Sequence, residues 1–288
     1  MTKRTTSEQA APEQATPEQR TPEQTTPEQA LSDAAPRGQA WRPTPPEPGT
    51  RLPDRAVVRF GAVALPLGVI SAIVVTQIHP HRENVMDNPV VFTEYAQDSD
   101  WFAVHFAQWG AALLLFAGLL GVYYALPRNP GPGSGLARLG WAATAQAAAA
   151  ITALQAVDGI ALKWAVDNWA AAPAGEKTAA FAAAKALRWT EYGFQSYSNI
   201  LLGLAVALYG LALARGTRYP RWLGWLAIGS GAAWITHGVM VAYVGLFDSL
   251  PRLVAMVLLA AWALGMAPRM WHDTRPPAPR RPGLPTSS

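Results

Sequence analysis

The chain contains no cysteine. That excludes disulfides, thiolate metal sites, iron–sulfur clusters and a cysteine nucleophile. Charge is scarce too: Asp, Glu, Lys and Arg make up 15% of the 288 residues, against roughly 25% in an average soluble domain. No apolar stretch follows Lys3 and Arg4, so the N-terminus does not read as a signal peptide. The formal charge of +4 does not point to a nucleic-acid partner, because the basic residues sit beside apolar runs, where insertion topology accounts for them.

Half of the residues are apolar, and most of these gather between about residues 56 and 267. A hydrocarbon layer of roughly 30 Å needs about 20 helical residues to cross it, and a soluble helix rarely stays apolar on every face for that length. The expected fold class is therefore all-α: a polytopic membrane protein with six transmembrane helices in a bundle. The spans run about Val57–Ile78, Phe102–Leu126, Arg138–Ala165, Phe194–Ala214, Trp222–Leu246 and Pro251–Ala267. Residues 1–55 carry four Pro-Glu-Gln pentapeptides between Ala11 and Ala30, which forbid a helix and offer nothing to bury. They are expected to form a disordered tail, as is the Pro- and Arg-rich segment 268–288.

Basic residues orient the spans. Arg51, Arg55 and Arg59, then Arg128 and Arg138, then Arg215, Arg218 and Arg221, then Arg269, Arg275, Arg280 and Arg281 all fall on one side if the spans alternate. The first loop on the other side is acidic, with Glu83, Asp87, Glu94, Asp98 and Asp100. Positive-inside bias then places both termini in the cytoplasm. Trp101, Trp164, Trp169, Trp189 and Tyr192 are expected in the outer aromatic belt; Tyr123, Tyr124, Trp141, Tyr219, Trp222 and Trp225 in the inner one. Small residues at Gly203, Ala207 and Gly210, and at Gly224, Ala227, Gly229 and Gly231, mark close-packing faces of spans four and five. Such faces serve packing within one bundle or a homo-oligomer.

Polar residues inside spans are costly and must face protein or water. Here they cluster in the outer halves of the spans. His105 and Gln108 share a face, as do Gln155 and Asp158; Glu191, Gln195 and Asn199 form a stripe with Ser198; Ser230 and His237 lie seven apart. With a rise of ~1.5 Å per residue, His105 lies about 6 Å, Asp158 about 10 Å and His237 about 14 Å below the outer interface. The eight residues His105, Gln108, Gln155, Asp158, Glu191, Gln195, Asn199 and His237 are the candidate lining of an outward-facing polar pocket for an unknown small ligand. His79 and His81 lie at its mouth.

Three readings of these residues compete. They lock helix packing, with Asp158 neutral or paired with a histidine or Lys163. They bind a ligand, including a divalent metal such as Zn held by His105, Asp158 and His237. Or they form a transport or proton path, which the lack of an inverted repeat disfavours. Haem is disfavoured because the two histidines differ in depth by about 8 Å. The expected role is a binding or accessory protein; the alternatives are a membrane-embedded metal-dependent hydrolase and a small-solute or proton-coupled transporter. Whether any reaction is catalysed stays open, leaning to none. In the outer loops, Asn88 as N-cap with Pro89 starts a short helix, and Pro173–Tyr192 forms a helix continuing into span four or lying on the membrane; either segment is placed to cover the pocket.

Tyr219-Pro-Arg-Trp-Leu-Gly-Trp-Leu-Ala-Ile-Gly229 opens span five, and Leu250–Leu264 lies in span six. Both segments resemble those of a family of six-span bacterial integral membrane proteins of unknown function. The resemblance covers the six-span core and implies a fold without an activity. The Ala-, Arg- and Trp-rich usage is similar to that of actinobacterial-type proteins, a resemblance that implies a plasma-membrane location.

Overall fold

The computed structural model describes residues 52–79, 86–126 and 132–274. The pentapeptide tail, His81, the Arg128 loop and the chain beyond Thr274 lie outside the described residues, and so do the expectations made for them. The described residues belong to one compact unit spanning Gly49–Ser288. They form α1 (Leu52–Ile78), a short α2 (Asn88–Gln97), α3 (Trp101–Ala125), α4 (Pro132–Ala156), a π-helical turn (Val157–Leu162), α5 (Lys163–Ala171), α6 (Lys177–Arg215), α7 (Arg221–Val244) and α8 (Leu250–Asp273). The fold is all-α, with no strand among the described residues.

Six helices are long and apolar enough to cross a membrane, α4, the π turn and α5 counting as one. Four of them have 24 or 25 residues, and the other two have 39 each. At ~1.5 Å per residue the shorter ones span about 36 Å, enough for a ~30 Å hydrocarbon layer. The 39-residue helices reach about 58 Å and must project beyond it. They project at the same end, because the C-terminus of α5 and the N-terminus of α6 are joined by residues 172–176. The short α2 packs on this projecting hairpin. Val91, Phe92 and Tyr95 bury against Trp101, Leu162 and Val166, with Phe181 and Trp169 closing the cluster.

Small residues decide the tightest crossings. A side chain at Gly203 would meet the Gly231 carbonyl oxygen at 2.6 Å, and one at Gly210 the Gly224 oxygen at 2.7 Å, so α6 and α7 touch through their backbones. Gly61 and Gly121 do the same for α1 and α3. The middle of the bundle is apolar and close-packed, with Leu65, Leu119, Val122, Tyr209, Trp262 and Met266 fully or nearly fully buried.

Three local expectations need correction. Trp101 is wholly buried and sits under α2, not in an interfacial belt, and Tyr219 is buried as well; Trp164, Trp189 and Trp225 are exposed as a belt requires. The last helix does not stop near Ala267 but runs to Asp273, with Pro268 inside it. The first residue of α2 is Asn88 and its N-cap is Asp87, one residue earlier than expected, which leaves Pro89 in the first turn. Of the two forms expected for Pro173–Tyr192, the structure has the first: α6 runs unbroken from Lys177 through the fourth span.

Candidate metal centre

The polar stripes of spans two and three meet face to face because α3 and α4 are antiparallel neighbours. Matching spacings on the two helices produce a ladder. His105 Nε2 lies 3.3 Å from Asp158 Oδ2, Gln155 Nε2 donates to Gln108 Oε1 at 3.3 Å, and Trp109 Nε1 donates to Thr152 Oγ1 at 3.3 Å. At the top of the ladder Trp101 Nε1 donates to the Gly159 carbonyl at 3.1 Å. That carbonyl belongs to the π turn, whose wider i→i+5 pattern frees backbone oxygens from the helix ladder; such turns concentrate at functional sites.

Gly159 is also where the two helices come closest at this level. A Cβ there would stand 2.7 Å from His105 Cβ and 3.0 Å from His105 Cγ. The His105 ring is thus held between the bare backbone of Gly159 and the indole of Trp101, stacked at a centroid distance of 4.3 Å. Its Nδ1–H donates to the Trp101 carbonyl at 2.7 Å. A carbonyl only accepts, so Nδ1 carries the proton and Nε2 of the neutral ring presents a lone pair.

That lone pair points at two further groups. His79, at the C-terminal end of α1, brings its Nε2 to 3.4 Å, and Asp158 Oδ2 stands on the other side. One ligand atom from each of His79, His105 and Asp158 lies within 4.8 Å of the other two. Asp158 Oδ1 is buried without a hydrogen-bond partner. His105 Nε2 and Asp158 Oδ2 both accept unless something lies between them. Either a proton, carried by His105 or by Asp158, bridges the pair, or a metal ion takes that place. The donor set fits a metal. A tetrahedron with metal–ligand bonds of ~2.05 Å has edges of about 3.3 Å, and two edges here measure 3.4 and 3.3 Å. The bond from Nδ1 to a backbone carbonyl is the usual way a ligating histidine is oriented.

A second buried cluster adjoins the first. Arg188 donates from Nη1 to Glu191 Oε2 at 2.8 Å and to the Tyr95 hydroxyl at 2.9 Å. Its Nε donates to the Tyr192 hydroxyl at 3.2 Å. Arg188 and Glu191 are both buried, so each neutralises a charge that the other could not leave exposed to hydrocarbon. Burial pushes the Tyr95 phenol above its ordinary range, against the lowering effect of Arg188, so Tyr95 is a neutral hydroxyl. Tyr95 also lies over Trp101, with ring centroids 4.2 Å apart, and links the two clusters. Lys163, which the sequence offered as a partner for Asp158, turns away. Its Nζ donates to the Tyr95 and Ala96 carbonyls at 2.9 and 3.3 Å and to Asp167 at 2.7 Å. It satisfies the carbonyl end of α2, where a cation is favoured by the helix dipole.

Of the eight expected lining residues, His105, Asp158, Gln108 and Gln155 share the α3–α4 ladder. Glu191 is taken by Arg188. Gln195 and Asn199 pair with each other, Nε2 to Oδ1 at 3.2 Å. His237 is not part of the group that can hold a metal; His79 stands in its place. The physical reason is packing: α7 lies against α6 and α8, and His237 Nδ1 pairs with Ser249 Oγ at 2.9 Å beside the Trp234 and Phe247 rings. Sequence reasoning assigned no role to Arg188 or Gly159. Arg188, Glu191, Tyr192 and Gln195 follow i, i+3, i+4, i+7, so the stripe on α6 begins one turn earlier than it was read, and that spacing was the available signal.

Beside the metal group a cavity of about 170 Å³ opens sideways between α3 and α4. Phe102, Phe106 and Trp109 wall one side, Ala156 and Ile160 the other, and His105 and Gln155 reach it from within. Comparison of the chain with protein-family models, with curated protein sequences and with solved structures gives no match, so the resemblance to six-span bacterial proteins gains no support there.

Proposed function

We propose that the chain is a multi-pass plasma-membrane protein that binds a divalent transition-metal ion such as Zn at the outer end of its bundle. The ligands are His79 and His105 Nε2 and the Asp158 carboxylate. The observation that carries this reading is the spacing of the donor atoms, 3.4 and 3.3 Å around a histidine whose other nitrogen is already committed. The outward assignment is supported by Arg138, Arg215, Arg218, Arg221 and Arg269 at the opposite end of the bundle. The role is binding. The apolar middle of the bundle, filled by Leu65, Leu119, Val122 and Met266, favours a site that holds its ion over a path that passes it on.

A metal-dependent hydrolase is the second reading. Three protein ligands leave a tetrahedral ion one open position for water, the arrangement of catalytic zinc sites. In this reading His79 replaces His237 as the third ligand, and the lateral cavity beside His105 admits the substrate.

The experiment is elemental analysis of the full chain, purified through a tag without histidines and loaded with Zn before desalting. About one ion per chain is expected, falling at least tenfold in each of His79→Ala, His105→Ala and Asp158→Asn. A folded, Zn-loaded chain that retains no metal would overturn the reading and leave a proton bridging His105 and Asp158.

A further inference from the structure

The lateral cavity has a shape and a polarity that the metal does not explain. Its two walls differ in side-chain size. On α3 stand Phe102, Phe106 and Trp109; opposite them α4 and the π turn present Thr152, Ala156 and Ile160. The small side chain of Ala156, facing large rings, leaves a groove. The groove faces outward from the bundle, since Phe106 is 59% and Ile160 42% exposed, and it lies within two membrane-spanning helices. Its surroundings are lipid, and hydrocarbon is what meets these side chains.

Size limits how much of a lipid enters. A dry protein cavity on the order of 150 Å³ takes up a six-carbon ring, so 170 Å³ accommodates one short stretch of a single chain and not a whole lipid. Polarity limits which lipid. Gln155 lines the groove, and its Oε1 is buried with no hydrogen-bond partner while its Nε2 is engaged with Gln108. An unpaired amide atom at membrane depth has no water to turn to. A hydroxyl both donates and accepts, so it satisfies this amide in either orientation.

We infer that the groove between α3 and α4 is a lateral binding site for a long-chain lipid bearing a free hydroxyl. The chain lies along Phe102, Phe106 and Trp109, and the hydroxyl is received by Gln155 beside His105. This stands on the groove and on Gln155, not on the metal, and it is tested in protein that holds no ion as readily as in protein that does.

The probe is a long-chain primary alcohol carrying a diazirine on its chain; the comparator is its methyl ether, which cannot donate. The full chain in lipid nanodiscs is irradiated with each, and adducts are mapped by peptide mass spectrometry, with metal content measured on the same sample. Adducts of the alcohol are expected to concentrate on Phe102–Trp109 and Thr152–Ile160, at least fivefold above other lipid-facing stretches such as Phe60–Ile78 and Leu250–Leu264. The ether is expected to label the groove at least fivefold less. Ala156→Phe fills the groove and removes the labelling. Gln155→Leu leaves the groove open and erases the preference for alcohol over ether, which keeps the test decisive if Ala156→Phe fails to fold. Adducts spread over all lipid-facing segments in proportion to exposure, or equal labelling by alcohol and ether in the wild type, would overturn the inference.

Discussion

A single methyl group at Gly159 should separate the metal site from the rest of the fold. An Ala Cβ at this position stands 2.7 Å from His105 Cβ, 3.0 Å from Cγ and 3.2 Å from Cδ2. Ordinary carbon–carbon contact begins near 3.5 Å, so His105 Cβ must retreat by ~0.8 Å and the ring atoms Cγ and Cδ2 by ~0.3–0.5 Å. It cannot retreat freely, because Trp101 is stacked on its other face at 4.3 Å. Metal–ligand distances tolerate roughly 0.2 Å, so a displacement of this size takes Nε2 out of the ligand set. Overpacking of this kind costs about 1–3 kcal/mol in stability. Loss of the ligand's support lowers metal affinity by roughly 10- to 100-fold. The assay is a competition titration of Zn against a fluorescent chelator, with thermal unfolding of the same detergent-solubilised samples. Gly110→Ala is the control, since a Cβ there meets nothing within 4 Å, and a helical Gly→Ala exchange is neutral or stabilising by up to about 1 kcal/mol. Gly159→Ala protein that binds Zn like the wild type would refute the reasoning, whatever its melting temperature.

His237→Gln should leave metal content unchanged. It removes only the Nδ1 pairing with Ser249, the residue that caps α8, at a stability cost of about 1 kcal/mol, and elemental analysis decides the point. Arg188→Met alone or Glu191→Leu alone should each destabilise by about 3–5 kcal/mol, while the double variant recovers most of that loss, because a buried pair is worse broken than absent. Thermal unfolding of the three proteins measures this, and additive losses in the double variant would count against the pairing. Lys163→Met should free the carbonyl end of α2 without touching His105 or Asp158. Faster proteolytic cutting between Met86 and Asp100 at unchanged Zn stoichiometry is the expected result, and equal cutting rates would show that α2 is held by its apolar contacts alone.

The six long helices were legible because hydrocarbon thickness imposes one simple rule on sequence, and apolar runs near 20 residues obey it. The α3–α4 ladder was half legible. Each stripe, His105 with Gln108 and Gln155 with Asp158, stands out at helical spacing, and antiparallel neighbours pair such stripes rung by rung. What spacing cannot give is which helices are neighbours. His237 lies on as convincing a stripe as His105, yet α7 packs on α6 and α8, where small residues at Gly203, Gly210, Gly224 and Gly231 bring the backbones together. Those glycines were noticed as packing faces. Followed one step further, they already bind α7 to α6 and remove His237 from any site on α3.

The aromatic and basic residues at the end of the bundle covered by α2 were misjudged for a different reason. Trp101 looks like an interfacial anchor because interface tryptophans and buried ones have the same neighbours in sequence. What separates them is whether something lies on top. Here the projecting parts of α4–α5 and α6 build a platform, α2 packs on it through Phe92 and Tyr95, and Trp101 is covered. The same cover buries Arg188, which in an uncovered hairpin would be an ordinary solvated residue. A membrane protein that only needed six spans would not extend two helices to 39 residues and lay a third across them. The extension raises a water-excluding roof over His105 and Asp158, while the cavity at Ala156 opens beside the same site between α3 and α4. A roof on one side and a gap on the other leave the groove reachable from the bilayer, which is the access that labelling by a membrane-borne alcohol requires.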